Sequence, residues 1–199
     1  MNTERSGEGA PHEGGTPDIP AYNDEFTRDF IKSSEEVEDG FYLFESLTKG
    51  YSMLFPVDAE ADKAAYERNG NAFESFSFLE EDNEANLSIY YRVVYENQPR
   101  ANDKDVNLRL LSSYTGYDGD YDEYKKNDTT YYYAEHTLEY KGKKTFQYFA
   151  YIKPSTNDKA ASFVGDITCL DQEQPCNADS EEMKQRILKI MHSIEINSR

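Results

Sequence analysis

Tryptophan is absent from this chain, cysteine occurs twice, histidine three times, and 21 basic residues face 39 acidic ones. Each shortage excludes something. The net charge of −18 leaves no excess of Lys and Arg, which excludes nucleic acid as a partner and direct electrostatic attraction to anionic lipid. No apolar run approaches the ~20 residues that span a bilayer. Three scattered histidines and two cysteines cannot make a structural zinc site, which needs four ligands in two close pairs. Without tryptophan, a sugar-stacking platform would rest on tyrosine alone. Also missing are a GxSxG elbow, an HExxH helix and a glycine-rich phosphate loop, so no catalytic motif is in view. No cofactor is expected.

The two cysteines are Cys169 and Cys176, at the ends of "CLDQEQPC". Six intervening residues are too many for a CxxC redox pair. A disulfide closing this loop would remove on the order of 2.5 kcal/mol of unfolded-state entropy. That pairing implies an oxidising compartment.

The opening segment, residues 1–25, is rich in Gly, Pro, Glu and Ser with almost nothing to bury. It reads as a flexible acidic linker, leaving residues 26–199 as one domain. The first forty residues hold 11 acidic and 3 basic side chains, so they carry much of the net charge. A polar spacer of this kind follows the lipidated cysteine of bacterial lipoproteins, and Met1 stands where such a cysteine or a cleaved signal peptide is expected. The expected address is therefore the outer surface of a cell membrane, through a lipid anchor on the native N-terminus, or secretion. A monomer is expected.

Beyond the linker, "DEFTRDFIKSSEEVEDG" carries a weak helical pattern ending at Gly40, and "FYLFESLTKGYSMLFP" reads as a hairpin turning at Lys49–Gly50. "AEADKAAYERNG" is helix-prone or a long loop. Two strands follow, the second alternating strictly at Leu87, Ile89, Tyr91, Val93 and Tyr95. A helix is expected after a cap at Asn102. Three more strands come next, with a turn at Lys141–Gly142 between the first two. The last helix opens on an Asp179/Glu182 capping box, buries Met183, Ile187, Ile190 and Met191, and runs into a short strand "IEIN". Strands outnumber helices and tight turns join them. The predicted class is α+β, a mostly antiparallel sheet packed against helices in an α/β/α-type sandwich.

The strand "GYSMLFP", the central hairpins and the closing "IMHSIEI" resemble the PsbP-like sandwich over residues 45–197. That fold is shared by extrinsic photosystem proteins, Ran-binding Mog-type proteins and many small bacterial lipoproteins. The resemblance implies a non-catalytic binding or assembly module, and the family has no common catalytic motif to carry over.

Three constellations remain. Asp118, Asp120 and Asp122 in "YDGDYDEY" resemble the start of a calcium loop, but Glu123 stands at the glycine position and Thr129 at the closing glutamate. A solvated acidic turn fits better, and the three carboxylates are kept as candidate cation ligands. Tyr117, Tyr121 and Tyr124, in the same tyrosine-rich stretch, are the candidate binding surface for an envelope or surface protein or polymer, against a plain packing role. His136 shares a strand face with Tyr132, Ala134 and Leu138 and reads as a half-buried structural ring. The alternative function is a secreted carboxylate-dependent hydrolase of envelope or matrix polymer, which requires two carboxylates in one cleft.

Overall fold

A computed structural model describes residues 19–197. Two short helices open it, α1 (Pro20–Asn23) and α2 (Glu25–Arg28), followed by the hairpin β1 (Phe41–Glu45) and β2 (Tyr51–Pro56). Short strands β3 (Ala59–Ala61) and β4 (Glu67–Asn69) lead to two long ones, β5 (Phe73–Asp82) and β6 (Leu87–Asn97). Helix α3 (Lys104–Thr115) precedes β7 (Asp122–Lys126), β8 (Thr129–Tyr140), β9 (Lys143–Pro154) and β10 (Lys159–Cys169). Helix α4 (Glu181–His192) and β11 (Glu195–Ile196) close the chain.

The strands form an eight-stranded sheet in the order β3-β5-β6-β10-β9-β8-β7, with β4 also paired to β5, and a three-stranded sheet β1-β2-β11. All pairings among the described residues are antiparallel. The mostly antiparallel α+β class stands. One cover, however, is mixed: the three-stranded sheet joins α1, α2 and α4 against one face of the large sheet, and α3 with the 3-10 turn Pro99–Asn102 packs on the other.

The alternation of β6 dictates this division. Leu87, Ile89, Tyr91, Val93 and Tyr95 all point into the main core, together with Phe76 and Phe78 of β5. Helix α4 adds Ile187, Ile190 and Met191, with Met183 partly buried at its start. Its cap is Ser180, whose hydroxyl accepts from the Met183 amide at 3.3 Å, one residue after the expected Asp179. Gly165 on β10 makes the close approach possible, since a Cβ there would lie 2.8 Å from Ile187 Cδ1.

Several expectations are corrected. The linker boundary after residue 25 falls too late: Ala21 is fully buried, its amide donates to Val57 O at 3.3 Å, and the Tyr22 ring meets Tyr42 edge-on at 5.1 Å. The rest of that segment, residues 1–18, lies outside the described residues. The helical pattern before Gly40 yields only α2, because its apolar residues serve Phe30-centred packing and not a continuous stripe. The stretch 59–70 forms β3, a 3-10 turn over Lys63–Ala65 and β4, since the edge of β5 offers ladder partners that outweigh local helix propensity. Helix α3 is capped by Asp103, not Asn102, through Val106 N at 3.1 Å. The strand β7 was not anticipated.

Glu74 is fully buried yet has every reason to be there. Its carboxylate accepts from the amides of Leu47 (3.0 Å) and Thr48 (2.9 Å), from the Thr48 hydroxyl (2.6 Å) and from Tyr66 (3.2 Å). It thus fastens the β1–β2 turn to the large sheet. Glu74→Ala strands two buried amides and should lower stability by about 3 kcal/mol, with Glu74→Gln costing less, as read from urea midpoints at constant slope.

Cys169 and Cys176 are bonded, with Cα atoms 5.9 Å apart. Asn86 holds the same loop by accepting from the Asp171 amide (2.7 Å) and donating to the carbonyls of Asp171 (2.9 Å) and Gln174 (3.2 Å). Reduction, or the double Cys→Ser variant, should cost about 2.5 kcal/mol by the loop-entropy relation, measured by urea unfolding with and without reductant. An unchanged midpoint would mean that Asn86 alone orders the loop.

Candidate functional site

The large sheet has a second face, and only part of it is covered. Helix α3 packs Leu111 with Ala134, Phe149, Tyr151, Ala160 and Val164 over one end. At the other end of this face the sheet presents a straight cross-strand row. Leu79 pairs with Tyr90, Tyr90 with Asp166, Asp166 with Gln147, and Gln147 with His136. Four polar side chains in register across β6, β10, β9 and β8 are unusual for central strands, whose two faces are ordinarily apolar when both are covered.

The row is wired together. His136 Nε2 lies 2.7 Å from Gln147 Oε1 and 3.2 Å from the Thr115 carbonyl at the end of α3. The Gln147 amide donates to Asp166 Oδ1 at 2.9 Å. Tyr117 and Phe149 meet the His136 ring edge-on at 5.3 and 5.6 Å. Burial pushes the Asp166 carboxyl up to about 6, against the opposing pull of the Gln147 amide and of His136. Helix α3 ends beside the row because Gly116 takes a left-handed conformation at φ 70 and turns the chain toward β7.

Next along β6 stands Arg92. Its guanidinium lies 4.5 Å from the Tyr114 ring centre, and its Nε donates to Ser75 Oγ at 3.3 Å. Opposite it on β5 is Ser77, fully buried, whose hydroxyl has no hydrogen-bond partner among the described residues. The Tyr114 phenol is raised by burial, with Arg92 pulling it back. A cavity of 260 Å³ opens between α3 and strands β6 and β10, with Arg92 and Tyr114 among its walls.

The sites expected from sequence are distributed differently. Tyr117 and Tyr121 meet Phe149 edge-on beside the end of α3, while Tyr124 packs on the opposite face against Tyr131 and bonds His192 at 2.7 Å. The three tyrosines therefore do not make one surface: Tyr117 and Tyr121, in the segment before β7, pack on the α3 side, and Tyr124, on β7, packs on the other. Asp118, Asp120 and Asp122 are exposed, and among the described residues no three metal-ligating side chains gather. The Tyr117 hydroxyl donates to the Asp120 carbonyl at 2.7 Å, which makes this a solvated turn held by its own tyrosine. His136 is half-buried as expected, but on the α3 side and in a polar row. The row holds one carboxylate, so the two-carboxylate hydrolase finds no support there.

Arg92, Asp166, Tyr90 and Gln147 were missed. The signal lay in the other parity of the same strands: Ser88, Tyr90, Arg92 and Glu96 on β6, Asp166 and Thr168 on β10. Reading only the apolar parity finds the core and passes over the site.

The raised Asp166 carboxyl has a testable sign. Its folded value of about 6 exceeds the ordinary ~3.9, so the fold favours the protonated form, and stability is lost as pH rises from about 4 to about 6. Asp166→Asn should remove that loss, gaining about 1–3 kcal/mol over the parent at pH 7 and nothing at pH 3.5. Denaturant titrations of both proteins across this range check it; a constant difference would place the Asn effect outside ionisation.

Two solved structures are similar to this chain at low identity: a Bacteroides thetaiotaomicron VPI-5482 protein (14% identical, TM-score 0.45, covering 79% of this chain and 48% of that one) and the Saccharomyces cerevisiae Ran-binding protein Mog1p (11%, TM-score 0.45, 78% and 95%). The "Putative lipoprotein YvcA" of Bacillus subtilis strain 168 is 31% identical over 185 residues, which is 89% of this chain and 77% of that protein. A family model with the same description matches residues 17–195. The chain belongs to the YvcA/Mog1p family.

Proposed function

We propose that this protein is a non-catalytic binding module held outside the cell membrane by a lipid anchor, and that it binds through the open face of the large sheet beside α3. The observation that carries the reading is the row Tyr90–Asp166–Gln147–His136 next to Arg92: polar and aromatic side chains on central strands, with Tyr90 and His136 partly exposed at its two ends and Gln147 buried between them, one carboxylate and no activated nucleophile. Such a set recognises a partner by hydrogen bonds and ring contacts; it has no group placed for covalent or two-carboxylate chemistry. The name of the Bacillus subtilis relative supports the lipoprotein address, and the Cys169–Cys176 bond suits an oxidising compartment. No helix among the described residues is long and apolar enough to cross a membrane. The envelope is thus where a protein or polymer partner is sought.

Photo-crosslinking in intact cells tests the surface. A photoreactive amino acid at Tyr90 should yield an adduct with an envelope protein or polymer, whereas one at the exposed Leu43, on β1 of the small sheet, should not. Equal adducts from both positions, or none from Tyr90, would remove the open face from the function.

A further inference from the structure

The cavity beside Arg92 has an uneven chemistry. Its walls are largely apolar, from Val94, Leu110, Leu111, Tyr151 and Val164, and small residues at Ala160 and Ser162 on β10 leave the space open. Three polar side chains lie in it besides Arg92. Asn107 already donates to the carbonyls of Arg100 and Asp103, both at 2.8 Å. Glu96 is neutralised by Arg100, whose guanidinium grips it through two nitrogens. Ser162 offers a hydroxyl. Glu96 lies four residues along β6 from Arg92, about 13 Å at 3.3 Å per residue, so it stands at the far end of the space.

Arg92 is the exception. Among the described residues Arg92 has no carboxylate within ion-pair distance; the exposed Arg28, Arg68 and Arg109 have none either, but Arg92 is half-buried, while Arg100 and Arg186 each hold one. It is positioned by Tyr114 and Ser75, which leaves its terminal nitrogens uncommitted to a protein anion. Across the β5–β6 pair, the buried Ser77 hydroxyl also lacks a partner among the described residues. The outer lip is apolar: Leu110 is 53% and Tyr114 48% exposed, beside the buried Leu111 that lines the same cavity.

We propose that this cavity is a binding site for a free alkyl carboxylate, with its head on Arg92 and its chain running between α3 and the sheet over Val94, Leu111 and Val164. The charge-assisted bond to an otherwise anionless arginine supplies orientation, and the apolar walls supply the driving force. A peptide is a poorer occupant, because its amides would find Asn107 and Glu96 already engaged. This inference rests on the binding reading above and names the ligand class that the same side of the molecule takes.

Titration of the full chain with octanoate, followed calorimetrically and by amide shifts along β6 and α3, tests it. One equivalent should bind. Octanamide, which lacks the charge, and acetate, which lacks the chain, should each bind at least about tenfold more weakly, as should octanoate to Arg92→Gln. If that variant fails to fold, the octanamide comparison on the unaltered protein decides. The proposal is overturned if octanoate does not bind, if octanamide or acetate matches it, or if a short peptide ending in leucine binds more tightly. Loss of octanoate binding while the Tyr90 crosslink persists discards the ligand class and leaves the binding module; loss of both discards both.

Discussion

Phe76 is the point at which separately encoded segments meet. Its fully buried ring lies 4.6 Å from Phe30 before the first hairpin, 4.6 Å from Phe44 on β1, 6.3 Å from Phe55 on β2 and 5.7 Å from Phe78 on its own strand. The N-terminal helices, the small sheet and the large sheet are thereby one packed unit. Offset and edge-on rings add about 0.5–1.5 kcal/mol per pair beyond the area they bury, so a core this rich in phenylalanine and tyrosine is held by geometry as well as by hydrophobic transfer. Without that joint, the small sheet, three strands with a two-residue member, would have little to stand on.

The main core also accepts two carboxylates, and the contrast with the other face is instructive. Glu74 is saturated by turn amides and hydroxyls; Glu80 is met by Tyr91 at 2.6 Å and by the Arg186 guanidinium, which ties α4 to β5. Each is stabilised in place because its partners are preorganised. Asp166 has one amide donor, and burial raises its carboxyl despite the opposing pull of that amide and of His136. Among the described residues Arg92 forms no ion pair. The unpartnered hydroxyls among the described residues fall on both sides, Ser77 on this face and Tyr51 in the main core.

Much of the fold was legible. Strict alternation in β6, the Lys141–Gly142 turn, the stripe of α4 and the disulfide loop are all local patterns whose physics plays out within a few residues. The short edge strands β3, β4 and β7 were not, because such strands take their conformation from a neighbouring ladder that no window of sequence contains. Helix caps slipped by one residue, at Asp103 and Ser180, for a related reason: adjacent Asx and serine side chains compete for the same amides, and the entry path of the chain decides between them.

The site divides along the same line. Composition and spacing alone determined the acidic charge, the exclusion of nucleic acid, zinc and nucleophile motifs, and the closeness of two cysteines, since these are properties of residue type and sequence distance. Which tyrosines share a surface was decided only by tertiary structure, where Tyr124 on β7 joins the main core and Tyr117 and Tyr121, before that strand, join the packing beside α3. So was the row Tyr90–Asp166–Gln147–His136, whose members come from four strands and become neighbours only through register. Cross-strand register is a sum of many weak pairings over the whole sheet, and no residue carries it alone.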